Sequence, residues 1–170
     1  QYYLPLGFEN YDISPSTLEV VDFSNICYRM VCRNAVSTPN LIDYGRDIGI
    51  MAYGDLFENK EKGFSYLSYN LSVTNGYLPT VNDDNKSKDL IGRLTFRPIK
   101  DLRIMGSYNW GEYQGLEYNE SAPEGVTNKY IPMNRFIVGA WYQDASGLIL
   151  RSEYGHIKSS KANVKEDGLY

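Results

Sequence analysis

Six segments after residue 46 alternate apolar and polar residues with a period of two, and this rhythm constrains the fold more than any other feature. Successive side chains of a β-strand point to opposite sides, so each segment predicts a strand with one apolar and one polar face. The segments are longer than the strands of an average soluble sheet. The apolar positions fall within residues 48–56, 67–73, 90–96, 102–110, 136–142 and 148–154.

The connections between these segments alternate in length. In an up-and-down meander every second connection lies at the same end, so one end should carry tight turns and the other extended loops. Transmembrane β-barrels show this asymmetry. The sequence therefore predicts an all-β chain folded as an antiparallel up-and-down meander. The connections in chain order are 58–63 (short), 76–88 (long), 98–101 (short), 112–133 (long), 144–147 (short) and 158–167 (long).

Two kinds of β-protein fit this pattern. Segment length matches the roughly 9–11 residues with which a tilted strand crosses a bilayer, and aromatic residues such as Tyr53, Trp110 and Trp141 lie near segment ends, as in barrel girdles. A soluble antiparallel sandwich also alternates, and tyrosine favours strands in any context. We favour part of a transmembrane β-barrel and keep the soluble sandwich as the alternative.

Charge and motif content argue against several functional classes. The 17 Lys+Arg against 21 Asp+Glu give a net charge of −4, which speaks against binding nucleic acid through bulk positive charge. His156 is the only histidine, so no triad or histidine metal cluster is indicated. Residues 82–85 (Asn-Asp-Asp-Asn) lack the ligand order of an EF-hand loop. We expect no enzyme, no catalytic residues, no cofactor, no metal site and no nucleic-acid partner.

The region before the alternating segments is less regular. Residues 14–22 are the best helix candidate, because Ser14 can cap a helix and Pro15 suits its first position. An extended strand would hold Cys27 and Cys32 too far apart for a disulfide, whereas a bent loop would allow one, so both states remain open. There is no signal-peptide pattern, and residues 168–170 look like the start of another strand. We expect a piece of a longer polypeptide.

Several short motifs resemble the phosphate-selective porin O/P family. Residues 3–9 (Tyr-Leu-Pro-Leu-Gly-Phe-Glu) resemble the segment that leads into the constriction loop of that family. Residues 44–50 (Tyr-Gly-Arg-Asp-Ile-Gly-Ile) are similar to one of its strand starts. Residues 73–76, 83–85, 88–89 and 92–98 are similar to its next hairpin. The likeness covers most of residues 1–110 and rests on the order and spacing of the motifs.

The resemblance implies an outer-membrane barrel of roughly 16 strands in a Gram-negative bacterium, assembled as a homotrimer and passing anions. This chain would supply about 6–8 of those strands. Residues 1–45 would form an inward-folding constriction segment with a short helix and an irregular strand. Residues 46–170 would form barrel strands with short turns and long loops, facing outer-membrane lipid.

One departure from the family bears on specificity. Phosphate-specific members carry a lysine directly after the Gly-x-Glu motif and serines a few residues later. Here the lysine position is Asn10, and the serine region aligns loosely with Ser14. Asn10 and Ser14 are therefore the expected constriction-loop residues, and the missing cation favours a pore that is less selective for phosphate.

The parity of the strands assigns charges to the pore wall. Arginine suits oxyanions because its planar fork grips two oxygens, and alternate residues on a strand share a side about 7 Å apart. The alternative is that the arginines pair with inward acids and only fill the wall. The expected acids are Asp47, Asp55, Asp89 and Glu153. The expected pore-lining and anion-binding residues are Arg93, Thr95, Arg97, Arg103, Arg135 and Arg151.

The sequence thus predicts an outer-membrane porin, a passive diffusion channel with a mild preference for small anions, phosphate among them. Two alternatives remain. The first is a soluble β-sandwich that works as a binding module, such as an adhesin or a carbohydrate binder. The second is a structural barrel component of a larger envelope complex, plugged or bound to partners.

Overall fold

The computed structural model of the chain describes residues 2–13, 24, 27, 45–76, 87–118, 126–159 and 165–169. Strands dominate these ranges, with one short helix near the beginning. The elements in chain order are β1 (Tyr2–Tyr3), α1 (Phe8–Tyr11), β2 (Arg46–Asp47), β3 (Gly49–Asn59), β4 (Phe64–Thr74), β5 (Asp89–Ile99), β6 (Leu102–Tyr118), β7 (Val126–Gln143), β8 (Ile149–Ser159) and β9 (Lys165–Leu169).

Strands β3 to β9 form one seven-stranded antiparallel sheet in which each strand pairs with its neighbours in sequence. The predicted all-β, up-and-down meander is therefore confirmed. Strands β1 and β2 form a separate two-stranded sheet. Within the described residues the large sheet is not closed, because β3 and β9 lie at its two edges and do not pair with each other.

The two faces of the sheet differ in chemistry and in exposure. On β5, Arg93 and Thr95 are buried on one side, while Leu94 and Phe96 are 55% and 47% exposed on the other. The side that carries Arg93 is called the polar face and the opposite side the apolar face. Exposed side chains of the apolar face are Ile50, Leu71, Val73, Leu90, Leu94, Phe96, Ile104, Tyr108, Trp110, Phe136, Leu150 and Tyr154.

Residues 2–13, called the docked segment, pack against the polar face. Leu4, Leu6 and Phe8 are fully buried there. Removing each such side chain from water stabilises the docked arrangement by about 1.5–3 kcal/mol. The buried core therefore lies on the polar face. The side chains of the sheet that complete it are Ile91, Met105, Met133, Ile137, Trp141 and Ile157.

The docked segment is fixed to the start of the sheet by backbone pairing. Tyr2 and Tyr3 pair with Asp47 and Arg46, and the amide of Leu4 donates to the carbonyl of Gly45 at 2.8 Å. Gly45 has a φ of 63°, which favours glycine. A Cβ there would also collide with the side chain of Asn10, so the turn needs glycine on two grounds.

Two of the predicted connections are wrong in extent. Residues 112–133 are not one long loop, because β6 continues to Tyr118 and β7 begins at Val126 in unbroken register. Backbone pairing continues through this polar stretch since it needs no apolar face. The connection predicted at 158–167 is also shorter than expected, because β8 ends at Ser159 and β9 begins at Lys165. The contrast between short turns and long loops is therefore weaker than predicted.

The helix in the structure is a single turn, Phe8–Tyr11, which the sequence did not indicate. The predicted helix at 14–22 lies outside the described residues, as do Ser14 and Cys32. Cys27 is buried and belongs to the hydrophobic core. In the part of the chain that the structure describes, no helix has the length and apolar character to cross a membrane.

Candidate functional site

Arg93 lies at the centre of the polar face and is enclosed by the docked segment. Its guanidinium pairs with the carboxylate of Asp12 and donates to the carbonyl of Gly7 at 3.3 Å. Its Nε donates to Oγ1 of Thr95 at 3.3 Å. Only 2% of the Arg93 side chain is exposed, so the docked segment holds both Arg93 and Thr95 away from solute.

Two aromatic rings of the docked segment complete the enclosure of Arg93. The guanidinium carbon lies 4.8 Å from the ring centroid of Tyr11 and 5.6 Å from that of Phe8. The Tyr11 hydroxyl accepts a hydrogen bond from the amide of Asn70 at 2.8 Å. Burial raises the pKa of Tyr11, and the nearby Arg93 partly opposes that rise. The ring therefore stays neutral and bridges the docked segment to the sheet.

Arg135 belongs to a second enclosed group, called the buried network, with Asp89 and Asn109. Its Nε donates to Oδ1 of Asn109 at 2.7 Å, and its Nη2 lies 3.6 Å from Oδ2 of Asp89. Asn109 in turn donates to the same Asp89 oxygen at 3.1 Å. All three residues are buried, with at most 1% of each exposed. A buried charge needs such partners, so Arg135 serves the structure of the sheet.

The other three predicted arginines lie together near the short turns. Arg103 on β6 pairs in register with Trp141 on β7, and Trp141 pairs with Arg151 on β8. Arg97 lies next to Phe96 on β5, and Phe96 pairs with Ile104, the neighbour of Arg103 on β6. Arg97, Arg103, Trp141 and Arg151 therefore form a line across neighbouring strands on the polar face, which is called the arginine row. All three of its arginines are half-buried.

Trp141 is the centre of the arginine row. The guanidinium carbons of Arg103 and Arg151 lie 4.8 Å and 5.3 Å from its ring centroid, within the range of cation–π attraction. Phe8 of the docked segment contacts the same ring edge-on, with centroids 5.6 Å apart. The prediction that Trp141 belongs to an aromatic girdle is wrong, because the ring is 8% exposed and faces the core.

The row is positively charged and incompletely satisfied. Among the described residues, no carboxylate lies within ion-pair distance of Arg97 or Arg103. The carboxylate of Asp12, which pairs with Arg93, also acts on Arg103 electrostatically. Nε of Arg97 and Nε1 of Trp141 are buried donors without an acceptor among the described residues. Buried polar atoms are normally satisfied, and others without a hydrogen-bond partner among the described residues lie outside the row, among them Nε of Arg46, Oγ of Ser72 and Oγ1 of Thr74.

Two buried glutamates fix the docked segment, one on the sheet and one within the segment itself. The carboxylate of Glu153 on β8 accepts a hydrogen bond from the backbone amide of Phe8. Glu9 accepts bonds from the amide and the hydroxyl of Ser24. Both glutamates are 1% exposed. These carboxylates therefore tie the segment down and are withdrawn from solute.

Asn10, the predicted constriction residue, has a structural position. Its side-chain amide donates to the carbonyls of Leu4 at 2.9 Å and of Gly45 at 3.3 Å, and the residue is 4% exposed. It braces the docked segment against the turn before β2. A lysine at this site would place its ammonium among these carbonyls, whereas asparagine closes the contact without charge.

The structure thus divides the predicted site residues into two groups. Arg97, Arg103 and Arg151 come together in the arginine row, whereas Arg93, Thr95 and Arg135 are enclosed elsewhere on the same face. Trp141 and Asp12 were missed. The alternation of β7 places Trp141 on the same side as Arg135 and Ile137, so the position of Trp141 on the polar face could have been deduced. Nothing in the sequence pairs Asp12 with Arg93.

Within the described ranges, no group of three or more His, Cys, Asp or Glu side chains is placed to hold a metal ion. No protein-family model matches the chain, and comparisons with curated proteins and with solved structures find no match.

Proposed function

We propose that the chain is part of an outer-membrane β-barrel porin, a passive diffusion channel with a mild preference for anions. One observation carries the proposal: the apolar face is exposed while the polar face is covered. A soluble antiparallel sheet buries its apolar face on a core. A barrel in a bilayer does the reverse, with apolar side chains toward lipid and polar ones toward the lumen.

The degree of exposure supports this assignment. Ile50, Leu71, Trp110 and Leu150 are between 59% and 82% exposed, and they lie on four different strands. Soluble monomers rarely expose contiguous apolar patches of this extent without a partner. In the hydrocarbon core of a bilayer these side chains would contact lipid tails and need no protein partner.

The docked segment supports the proposed preference for anions. It lies where a constriction would lie if the sheet curved around the polar face, and it leaves the arginine row half-exposed beside it. Solute passing this point would meet Arg97, Arg103 and Arg151, which explains an anion preference despite the net charge of −4. There is no chemical step, and selectivity arises from wall charge.

Reconstitution into planar bilayers tests the proposal. A salt gradient should give a reversal potential that favours anions, and Arg97→Gln should reduce it. Arg93→Gln should change it less, because Arg93 is already neutralised by Asp12. Conductance without anion preference would defeat the selectivity, and a protein that stays monodisperse without detergent would defeat the membrane assignment.

The plugged structural barrel is the second candidate, and the docked segment favours it. Leu4, Leu6 and Phe8 are fully buried on the polar face, so the segment is held firmly there. This candidate predicts detergent dependence without conductance. Bilayer recordings therefore separate it from the porin.

A further inference from the structure

We propose that Arg93 forms a carboxylate-binding site that the chain fills with its own Asp12, so that Asp12 competes with solute anions for the polar face. The proposal deepens the porin function, on which it rests for the route by which solute reaches the site. It adds Asp12 to the residues that determine selectivity, as a built-in anion that keeps the anion preference mild.

The first argument is the arrangement of acceptors around the Arg93 guanidinium. Its Nε donates to Thr95 of the sheet. Its other two nitrogens bond to the docked segment, Nη1 to the carbonyl of Gly7 at 3.3 Å and Nη2 to the carboxylate of Asp12. Two aromatic rings of the same segment lie against the guanidinium. A guanidinium framed in this way suits a carboxylate, and Asp12 is the charged acceptor among these partners.

The second argument is the unequal exposure of the two partners. The side chain of Asp12 is 24% exposed, whereas that of Arg93 is 2% exposed. Solvent therefore reaches the pair from the side of Asp12. The backbone amide of Asp12 donates to the carbonyl of Phe8 at 2.8 Å, at the end of helix α1. This bond anchors the backbone when the carboxylate alone turns away, so an external anion can replace the carboxylate while the segment stays docked.

The third argument is the charge of the docked segment. Residues 2–13 carry two acids, Glu9 and Asp12, and no lysine or arginine. Glu9 is 1% exposed, so Asp12 carries the accessible negative charge of the segment. Its carboxylate pairs with Arg93 and also acts electrostatically on Arg103 of the arginine row. Removing this one charge should therefore leave two arginines less compensated.

Chemical rescue tests the site without reference to conductance. Asp12→Ala removes the carboxylate and leaves room for formate, a small monocarboxylate. The reporter is Trp141, whose ring Phe8 of the docked segment contacts edge-on. Trp110→Phe removes the only other tryptophan, which lies on the apolar face. In this background and in detergent, the urea midpoint of the change in Trp141 emission reports the loss of the docked arrangement.

We expect Asp12→Ala to lower this midpoint and formate to restore at least about half of the loss, because a ligand that binds only the docked form stabilises it. Sodium formate would replace sodium chloride at constant ionic strength, which separates binding from screening. The parent should not respond to formate, since Asp12 occupies the site. Asp101→Ala, which removes a carboxylate from an exposed turn, is the matched control and should gain nothing from formate.

Bilayer recordings test the competition with solute. Asp12→Asn keeps an oxygen acceptor for Arg93 but removes the charge, so the permeability ratio of chloride to potassium should rise by about twofold. Asp12→Asn combined with Arg93→Gln removes both charges and should return the ratio to that of the parent. Asp101→Asn removes a carboxylate outside the polar face and should leave the ratio unchanged.

Equal formate responses in the parent and in Asp12→Ala, or no response in either, would overturn the proposal. An unchanged permeability ratio in a conducting Asp12→Asn protein would also overturn it. Rescue by formate in a protein that conducts no ions would uphold the site and refute the porin. Anion-selective conductance without formate rescue and without an effect of Asp12→Asn would uphold the porin and refute the site.

Discussion

Arg135 and Arg103 lie on neighbouring strands of the same face, yet their surroundings differ. Arg135 is 1% exposed, bonds to Asn109 and faces the carboxylate of Asp89. Arg103 is half-buried, contacts Trp141 and has no carboxylate at ion-pair distance among the described residues. The buried network and the arginine row thus use one residue type in two ways. Full burial requires partners, whereas partial exposure leaves charge available for solute.

The largest expected effect comes from replacing the two arginines by methionine. Arg135→Met leaves Asp89 buried without its cation, which should cost about 3–5 kcal/mol of unfolding free energy. Arg103→Met removes a charge that repels Arg97, so stability should fall by less than about 1 kcal/mol. Urea unfolding in detergent or lipid measures both. Similar losses of unfolding free energy in Arg135→Met and Arg103→Met would show that the buried network does not depend on its arginine more than the arginine row does.

A smaller effect is expected where the docked segment meets the row. Phe8→Leu keeps an apolar side chain but loses the edge-on contact with Trp141, and aromatic contacts of this kind contribute about 0.5–1.5 kcal/mol. Unfolding free energy should therefore fall by about 1 kcal/mol. Trp141 emission in the Trp110→Phe background should shift to the red as water approaches the ring. Leu6→Met is the matched control, since it alters a buried apolar side chain of the same segment and keeps the ring of Phe8. An unshifted emission maximum would mean that the segment does not shield the ring.

The smallest expected effect is a pH dependence at the turn that follows the strand of Trp141. Asp144 accepts hydrogen bonds from the hydroxyl and amide of Ser146 and from the amide of Leu148. These bonds lower the pKa of Asp144 below its ordinary value. Because the folded pKa is depressed, the stability it contributes is present above the unfolded value and is lost as pH falls through the folded one.

Asp144→Asn keeps an acceptor at the turn but does not titrate. The variant should therefore lose less stability than the parent when the pH is lowered from about 5 to about 3. Asp101→Asn, at the neighbouring exposed turn, is the control and should keep the parent's response. Parallel acid curves for Asp144→Asn and the parent would contradict the assigned pKa shift.

Sequence periodicity was sufficient to predict the strands and their two faces. Leu94 and Phe96 were assigned opposite to Arg93 and Thr95, and the structure places them so. Period-two alternation is a local property of the backbone, which explains why it could be deduced without tertiary information. The extension of β6 and β7 through residues 112–133 was missed because paired polar strands beyond an apolar band show no such alternation.

The resemblance implied that residues 1–45 fold inward, but the contacts by which this region covers the polar face could not be predicted. Ile91 and Ile137 interrupt the polar pattern of the sequence, and in the structure they belong to the same buried core as Leu4, Leu6 and Phe8. These contacts join residues far apart in the chain, and nothing in either stretch alone specifies the other. For the same reason Asp12 was not recognised as the partner of Arg93.

The two edges of the seven-stranded sheet bear on the membrane insertion that we propose. Along the outer sides of β3 and β9, backbone amides and carbonyls have no neighbouring strand in the part of the chain that is described. Hydrocarbon offers these groups no hydrogen bonds, and each one left unsatisfied there costs several kcal/mol. On the porin proposal, the seven described strands would not insert stably by themselves. Insertion of the proposed barrel would be concerted with the pairing of β3 and β9 to further strands, and until then these edges would be sites for mispairing and aggregation.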